Sequence, residues 1–309
     1  MNYIQQAFKG KNEWWRYLLM ILLIFFGWQI IGIIPISVVA IMHSSDMIAF
    51  QNAAVDSFMN LGINANLYLF SMIMMFAIGL FFIFLGIKSI HKRSITSLLT
   101  SRKELDWKRV FFAFGIWFAI SMLVLSVDYF SAPENYEWNF NLVPFLILVA
   151  ISFFLLPLQT SFEEVLFRGY LMQSIGILVK NKWIPLLITS IGFGLLHSFN
   201  PEVEKLGNLI MVYYIGTGFL FGITTLMDEG LELSLGLHAA NNIVAAVFVT
   251  TNWTVFQTDA LFIDTSEPSL GMETFVPVFV IYPILLFIFS KKYAWKNWKE
   301  KLLGSVEKV

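Results

Sequence analysis

The sequence has no cysteine, and Asp, Glu, Lys and Arg together make up only 13% of its 309 residues. Without cysteine there is no disulfide, no thiol nucleophile and no cysteine-ligated metal. A formal net charge of −1 offers no basic surface for nucleic acid. Histidine is scarce, at four residues, and none sits in an H-E-x-x-H zinc motif. No polar stretch is long enough to build a separate soluble domain. Nor is there an internal repeat of the kind that builds many secondary transporters.

What is abundant is apolar surface, with 58% of residues hydrophobic and a positive mean hydropathy. The apolar runs are unbroken rather than alternating, and hydrocarbon gives the backbone no hydrogen-bond partner, so the spanning elements are helices and not barrel strands. The first runs from Trp14 to about Met42, with a kink expected near Pro35. Others fit roughly 68–87, 110–130, 143–159, 183–200, 206–227, 233–251 and 272–290, with 161–180 as a more polar helix among them. The predicted fold is an all-α polytopic transmembrane helix bundle of about eight spans, or nine if 161–180 also crosses. Gly218 and Gly222 form a small-xxx-small pair that permits close helix packing.

Basic residues cluster at 9–16, 88–109 and 291–301, whereas 43–67, 131–142 and 252–271 contain no Lys or Arg. The positive-inside rule puts the basic clusters, and with them both termini, in the cytoplasm. Two cytoplasmic termini require an even number of crossings, which favours eight. A hairpin turning near Asn181 pulls toward nine, because it would bring Glu163 and His197 level on two full helices.

Within this apolar chain, Ser161 to Tyr170 reads SFEEVLFRGY. A charge at mid-membrane costs about 2.5–3.5 kcal/mol, so Glu163, Glu164 and Arg168 left uncompensated would cost on the order of 8–10 kcal/mol. Glu164 and Arg168, four apart, share a helix face and can pair. Glu163 is turned about 100° away and needs another partner. These charges alone are accounted for by helix stapling or by an interfacial helix.

Two further constellations shift that balance. Phe193 and His197 stand one turn apart beside Gly192 and Gly194, and His238 and Asn242 share a face of an apolar helix with small residues between them. A single intramembrane histidine is ordinarily a hydrogen-bonded packing residue. His43 and His91 fall at span ends near water, while His197 and His238 lie inside spans together with carboxylate and amide candidates, a setting that marks functional sites.

The ordered motifs E-E-x-x-x-R, F-x-x-x-H and H-x-x-x-N, here Glu163-Glu164…Arg168, Phe193…His197 and His238…Asn242, resemble those of the CPBP intramembrane proteases, the Abi or CAAX prenyl protease type II family. The likeness is close over about 160–245. It implies one integral-membrane domain, 1–309, with N-terminal spans in 1–140, a protease core in 141–251, and a loop, last span and basic tail in 252–309.

Peptide hydrolysis requires an activated water and donors for the oxyanion. A carboxylate held away from water is a stronger base once deprotonated, which is the role expected of Glu163. His197 would orient the water from the other side, and His238 and Asn242 would donate to the oxyanion, a division of labour the resemblance also implies. Glu164, Arg168 and Phe193 would support them. No cofactor is expected. A zinc ion on Glu163, His197 and His238 is the disfavoured alternative.

The expected partners are the lipid bilayer and a membrane-associated peptide or protein substrate, which the sequence does not specify. Charge topology and the lack of a targeting extension point to a bacterial plasma membrane. The rival readings are a non-catalytic scaffold or bacteriocin-immunity protein on the same fold, and a proton-coupled transporter.

Overall fold

The computed structural model describes residues 1–308. The chain passes through α1 (Trp14–His43), α2 (Ala65–Ser89), α3 (Trp107–Ser131), α4 (Leu142–Val179), α5 (Trp183–Phe199), α6 (Asn208–Asp228), α7 (Glu232–Val247) and α8 (Thr274–Lys292). Among the described residues six helices, all of these but α5 and α7, are long and apolar enough to cross a membrane. The protein is all-α and membrane-embedded. Large apolar side chains such as Leu22, Phe81, Phe111, Leu123 and Phe287 lie exposed on the outer helix faces, where hydrocarbon solvates them.

Residues 143–159 and 161–180, expected as a span and a separate polar helix, form the single helical element α4. Its 38 residues, at about 1.5 Å of rise each, exceed a hydrocarbon layer of about 30 Å. The element is not uniform. It is interrupted at Leu155, just before Pro157, and widens into a π-helical turn over Val165–Leu171.

Proline has a similar consequence in α1. Pro35 has no N–H for the carbonyl one turn back, and a π-helical turn, Phe26–Ile31, precedes it. That turn is closed by the Gly32 N–H donating to the Gly27 carbonyl at 2.8 Å.

Contacts gather the connections into two groups. At one end, Tyr3 N donates to Glu229 Oε2 at 2.5 Å, Gln5 Nε2 to the Glu307 carbonyl at 3.0 Å, and Val306 N to the Lys180 carbonyl at 3.0 Å. Asp228 there accepts from Arg102 at 3.0 Å, Arg109 at 2.5 Å and the Trp295 indole at 3.1 Å. Both terminal segments and the basic stretches around 102–109 and 291–301 therefore meet at the same end.

At the other end, a short sheet in the order β1 (Tyr136–Trp138), β3 (Phe262–Asp264), β2 (Val249–Thr250) joins connections that carry no Lys or Arg. β1 pairs antiparallel with β3 in the register Glu137↔Ile263, and β2 pairs parallel with β3. The sequence reading did not include this sheet, because strands of two or three residues leave no periodicity to detect.

Close helix approach depends on missing side chains. A Cβ on Gly236 of α7 would strike the Val110 carbonyl of α3, and one on Gly218 of α6 would strike the Ser190 backbone of α5. The small-xxx-small pair is thus an α5–α6 contact, since Gly222 faces Leu186 and Ser190. α7 is buried along most of its length, and α3, α4 and α6 pack around it.

Candidate active site

The polar residues meet where α4 faces α7. On α4, Gln159 and Glu163 form one i,i+4 pair and Glu164 and Arg168 a second, on a face turned about 100° from the first. On α7, His238 and Asn242 present one face to both.

Arg168 is fully buried. Its Nη1 pairs with Glu164 Oε1 at 3.0 Å and its Nη2 donates to the Gly218 carbonyl at 3.0 Å. The guanidinium lies 4.3 Å from the Phe193 ring centre and 5.3 Å from that of Phe221, so aromatic faces cover the charge where no carboxylate does. The i,i+4 pairing read from the sequence is present.

Glu164 Oε1 also receives His238 Nδ1 at 2.9 Å. The imidazole stacks on Phe221 at 5.0 Å and meets the Phe193 ring edge-on at 5.7 Å, which fixes its plane. Its other nitrogen, Nε2, faces Glu163 Oε2 at 3.7 Å, beyond hydrogen-bond reach. Glu163 Oε1 accepts from Gln159 Nε2. Glu163 Oε2, Glu164 Oε2 and Arg168 Nε are buried without a hydrogen-bond partner among the described residues. Asn242 donates through Nδ2 to Gln159 Oε1 at 2.9 Å and accepts from Asn241 Nδ2 at 3.2 Å.

His197 sits where α5 gives way to a 3₁₀ turn, His197–Phe199, followed by Pro201. Its Nδ1 faces the Phe193 carbonyl at 2.8 Å, and its ring stacks on Tyr214 at 4.4 Å. The Phe193 ring touches both imidazoles, His197 at 4.8 Å and His238 at 5.7 Å. Among the described residues no hydrogen bond or ion pair joins His197 to Glu163.

The structure therefore brings Glu163, Glu164, Arg168, Phe193, His238 and Asn242 into one connected cluster, with His197 attached through Phe193. Among the described residues no group of three or more His, Asp or Glu side chains is placed to hold a metal ion. The Glu163, His197, His238 zinc set does not fit this arrangement.

Sequence reasoning missed Gln159, which links Glu163 to Asn242. The signal was available, since Gln159 lies four residues before Glu163 and thus on its face. It also missed Tyr214, whose hydroxyl donates to Glu202 Oε1 at 2.5 Å while its ring supports His197. Asn241, about 100° round α7 from Asn242, is hydrogen-bonded to it.

A family model for type II CAAX prenyl endopeptidase Rce1-like proteins matches residues 139–244, the segment that holds the whole cluster from Gln159 to Asn242. A Bacillus subtilis (strain 168) protein, described as the uncharacterized protein YyaK, is 31% identical over 261 residues, covering 83% of this chain and 85% of the relative. No solved structure matches. Membership of such a family supports a membrane protease function in general terms. With the three ordered motifs inside the matched segment and joined in space, this chain belongs to the Rce1-like, or Abi, CAAX protease type II family.

Proposed function

We propose that this protein is an intramembrane endopeptidase of the glutamate type, hydrolysing a peptide bond in a membrane-associated protein or peptide. The observation that carries this reading is Glu163. One of its oxygens is tied to Gln159, while the other is buried, has no hydrogen-bond partner among the described residues, and is turned toward His238.

In this reading Glu163 takes a proton from water as the oxygen adds to the scissile carbonyl carbon. His197, whose Nδ1 is held by the Phe193 carbonyl, presents Nε2 to orient that water. The oxyanion is met by His238 Nε2 and by the Asn242 amide. While Nδ1 donates to Glu164, His238 must carry both ring protons to donate through Nε2 as well. Glu163 then returns the proton to the leaving nitrogen as the C–N bond breaks, which restores the carboxylate.

The chain would cross a bacterial plasma membrane eight times, the end that gathers both termini and the basic stretches lying in the cytoplasm.

The test is incubation of the detergent-purified protein with a membrane-peptide library, comparing wild type with Glu163→Gln. Cleavage by the wild type alone is the expected result. Equal cleavage by both would remove Glu163 as the base, and none by either would remove the peptidase reading.

A further inference from the structure

The Trp117 indole N–H on α3 can only donate a hydrogen bond. Its Nε1 lies 3.2 Å from Asn241 Oδ1, and the Tyr213 hydroxyl approaches the same oxygen at 3.4 Å. With its oxygen so engaged, Asn241 presents Nδ2 to Asn242 Oδ1 at 3.2 Å. Asn242 is thereby turned to present its own Nδ2 to Gln159 Oε1 at 2.9 Å. Gln159, oriented in turn, presents Nε2 to Glu163 Oε1. Each side-chain amide has an acceptor and a donor side, so settling one settles the next.

We infer that Gln159 is a positioning residue for Glu163, and that a one-way hydrogen-bond chain from Trp117 through Asn241 and Asn242 fixes which end of the Gln159 amide Glu163 meets. A reversed Gln159 would set its carbonyl oxygen against the carboxylate and repel it. In the observed sense the amide holds Oε1 and leaves Oε2 directed at His238 Nε2. Trp117, Asn242 and Glu163 are each less than 10% exposed, at 7%, 8% and 9%. Asn241 and Gln159 between them are half-buried, and each hydrogen bond of the chain polarises the next. The same chain engages Asn242, so one device orients two of the groups that the peptidase reading uses, and its catalytic consequence rests on that reading.

The geometry is testable without a substrate. Infrared spectra of the full chain in detergent, compared with those of Glu163→Gln, identify the Glu163 carboxylate band by its loss. Gln159→Met keeps the side-chain length and removes the donor, and it is expected to move that band. Trp117→Phe, at a residue whose hydrogen bond goes to Asn241, is expected to move it in the same direction. A band unmoved in Gln159→Met overturns the positioning role, and one that moves there but not in Trp117→Phe overturns the one-way chain. With a cleaved peptide in hand, Gln159→Met is expected to lower kcat about 10²-fold, the scale of a small misplacement of reacting groups, with KM unchanged. A loss confined to KM would also overturn the role. Absence of cleavage by the wild type would defeat the peptidase reading and leave the infrared result to stand on its own.

Discussion

Nδ1 of His238 lies 2.9 Å from Oε1 of Glu164, the same carboxylate oxygen that Arg168 Nη1 holds at 3.0 Å. The buried ion pair is thus also the anchor of the imidazole, and stability and ring orientation depend on one atom.

Removing one partner from such a pair exposes that dependence. Arg168→Met is expected to lower stability by about 3–5 kcal/mol, because Glu164 is left charged and buried. Adding Glu164→Gln should recover much of the loss, since the carboxylate that Arg168 balances is then replaced by a neutral amide. Thermal unfolding in detergent of the two single variants and the double variant checks this, and additive losses would show that the pair is not coupled.

Asn242→Ala removes a donor proposed for the oxyanion and also the hydrogen bond to Gln159. Hydrolysis is expected to fall about 10²–10³-fold rather than vanish. The check is turnover of a cleaved peptide, alongside an unfolding midpoint close to that of the wild type. Undiminished turnover would exclude Asn242 from the reaction.

Gly218 combines two tasks, packing against the Ser190 backbone and offering its carbonyl to Arg168 at 3.0 Å. Gly218→Leu is expected to separate α5 from α6 and reduce the monodisperse fraction on size exclusion. Gly115 of α3 faces open space, and Gly115→Ala should gain up to about 1 kcal/mol from helix propensity. Equal effects at both glycines would refute the packing argument.

His91 lies beyond the end of α2, buried, with Nδ1 facing the Lys11 carbonyl at 2.9 Å and Nε2 facing the Tyr170 hydroxyl at 3.2 Å. Burial lowers its pKa from the ordinary value of 6.5. The unfolded chain therefore binds its proton more readily, so this contribution is complete above pH 6.5 and is lost as pH falls toward the lowered folded value. The unfolding midpoint of wild type should drop more steeply below pH 6.5 than that of His91→Gln. Parallel pH profiles would show that His91 carries no such linkage.

Composition and hydropathy by themselves determined that this is a helical membrane protein, because hydrocarbon leaves no other use for long unbroken apolar runs. The i,i+4 pairing of Glu164 with Arg168 was also legible, since helix geometry alone sets that neighbourhood. Only the tertiary structure decided that α4 is one helical element with a π turn, that the two terminal segments touch through Gln5 and the Glu307 carbonyl, and that His238 takes its fixed partner from Glu164. It alone revealed the route from Trp117 through two asparagines to Gln159 and Glu163. Periodicity tells which face of a helix a residue occupies. Which residue of another helix meets that face is decided by close packing at glycines such as Gly218 and Gly236, a relation between segments distant in the chain.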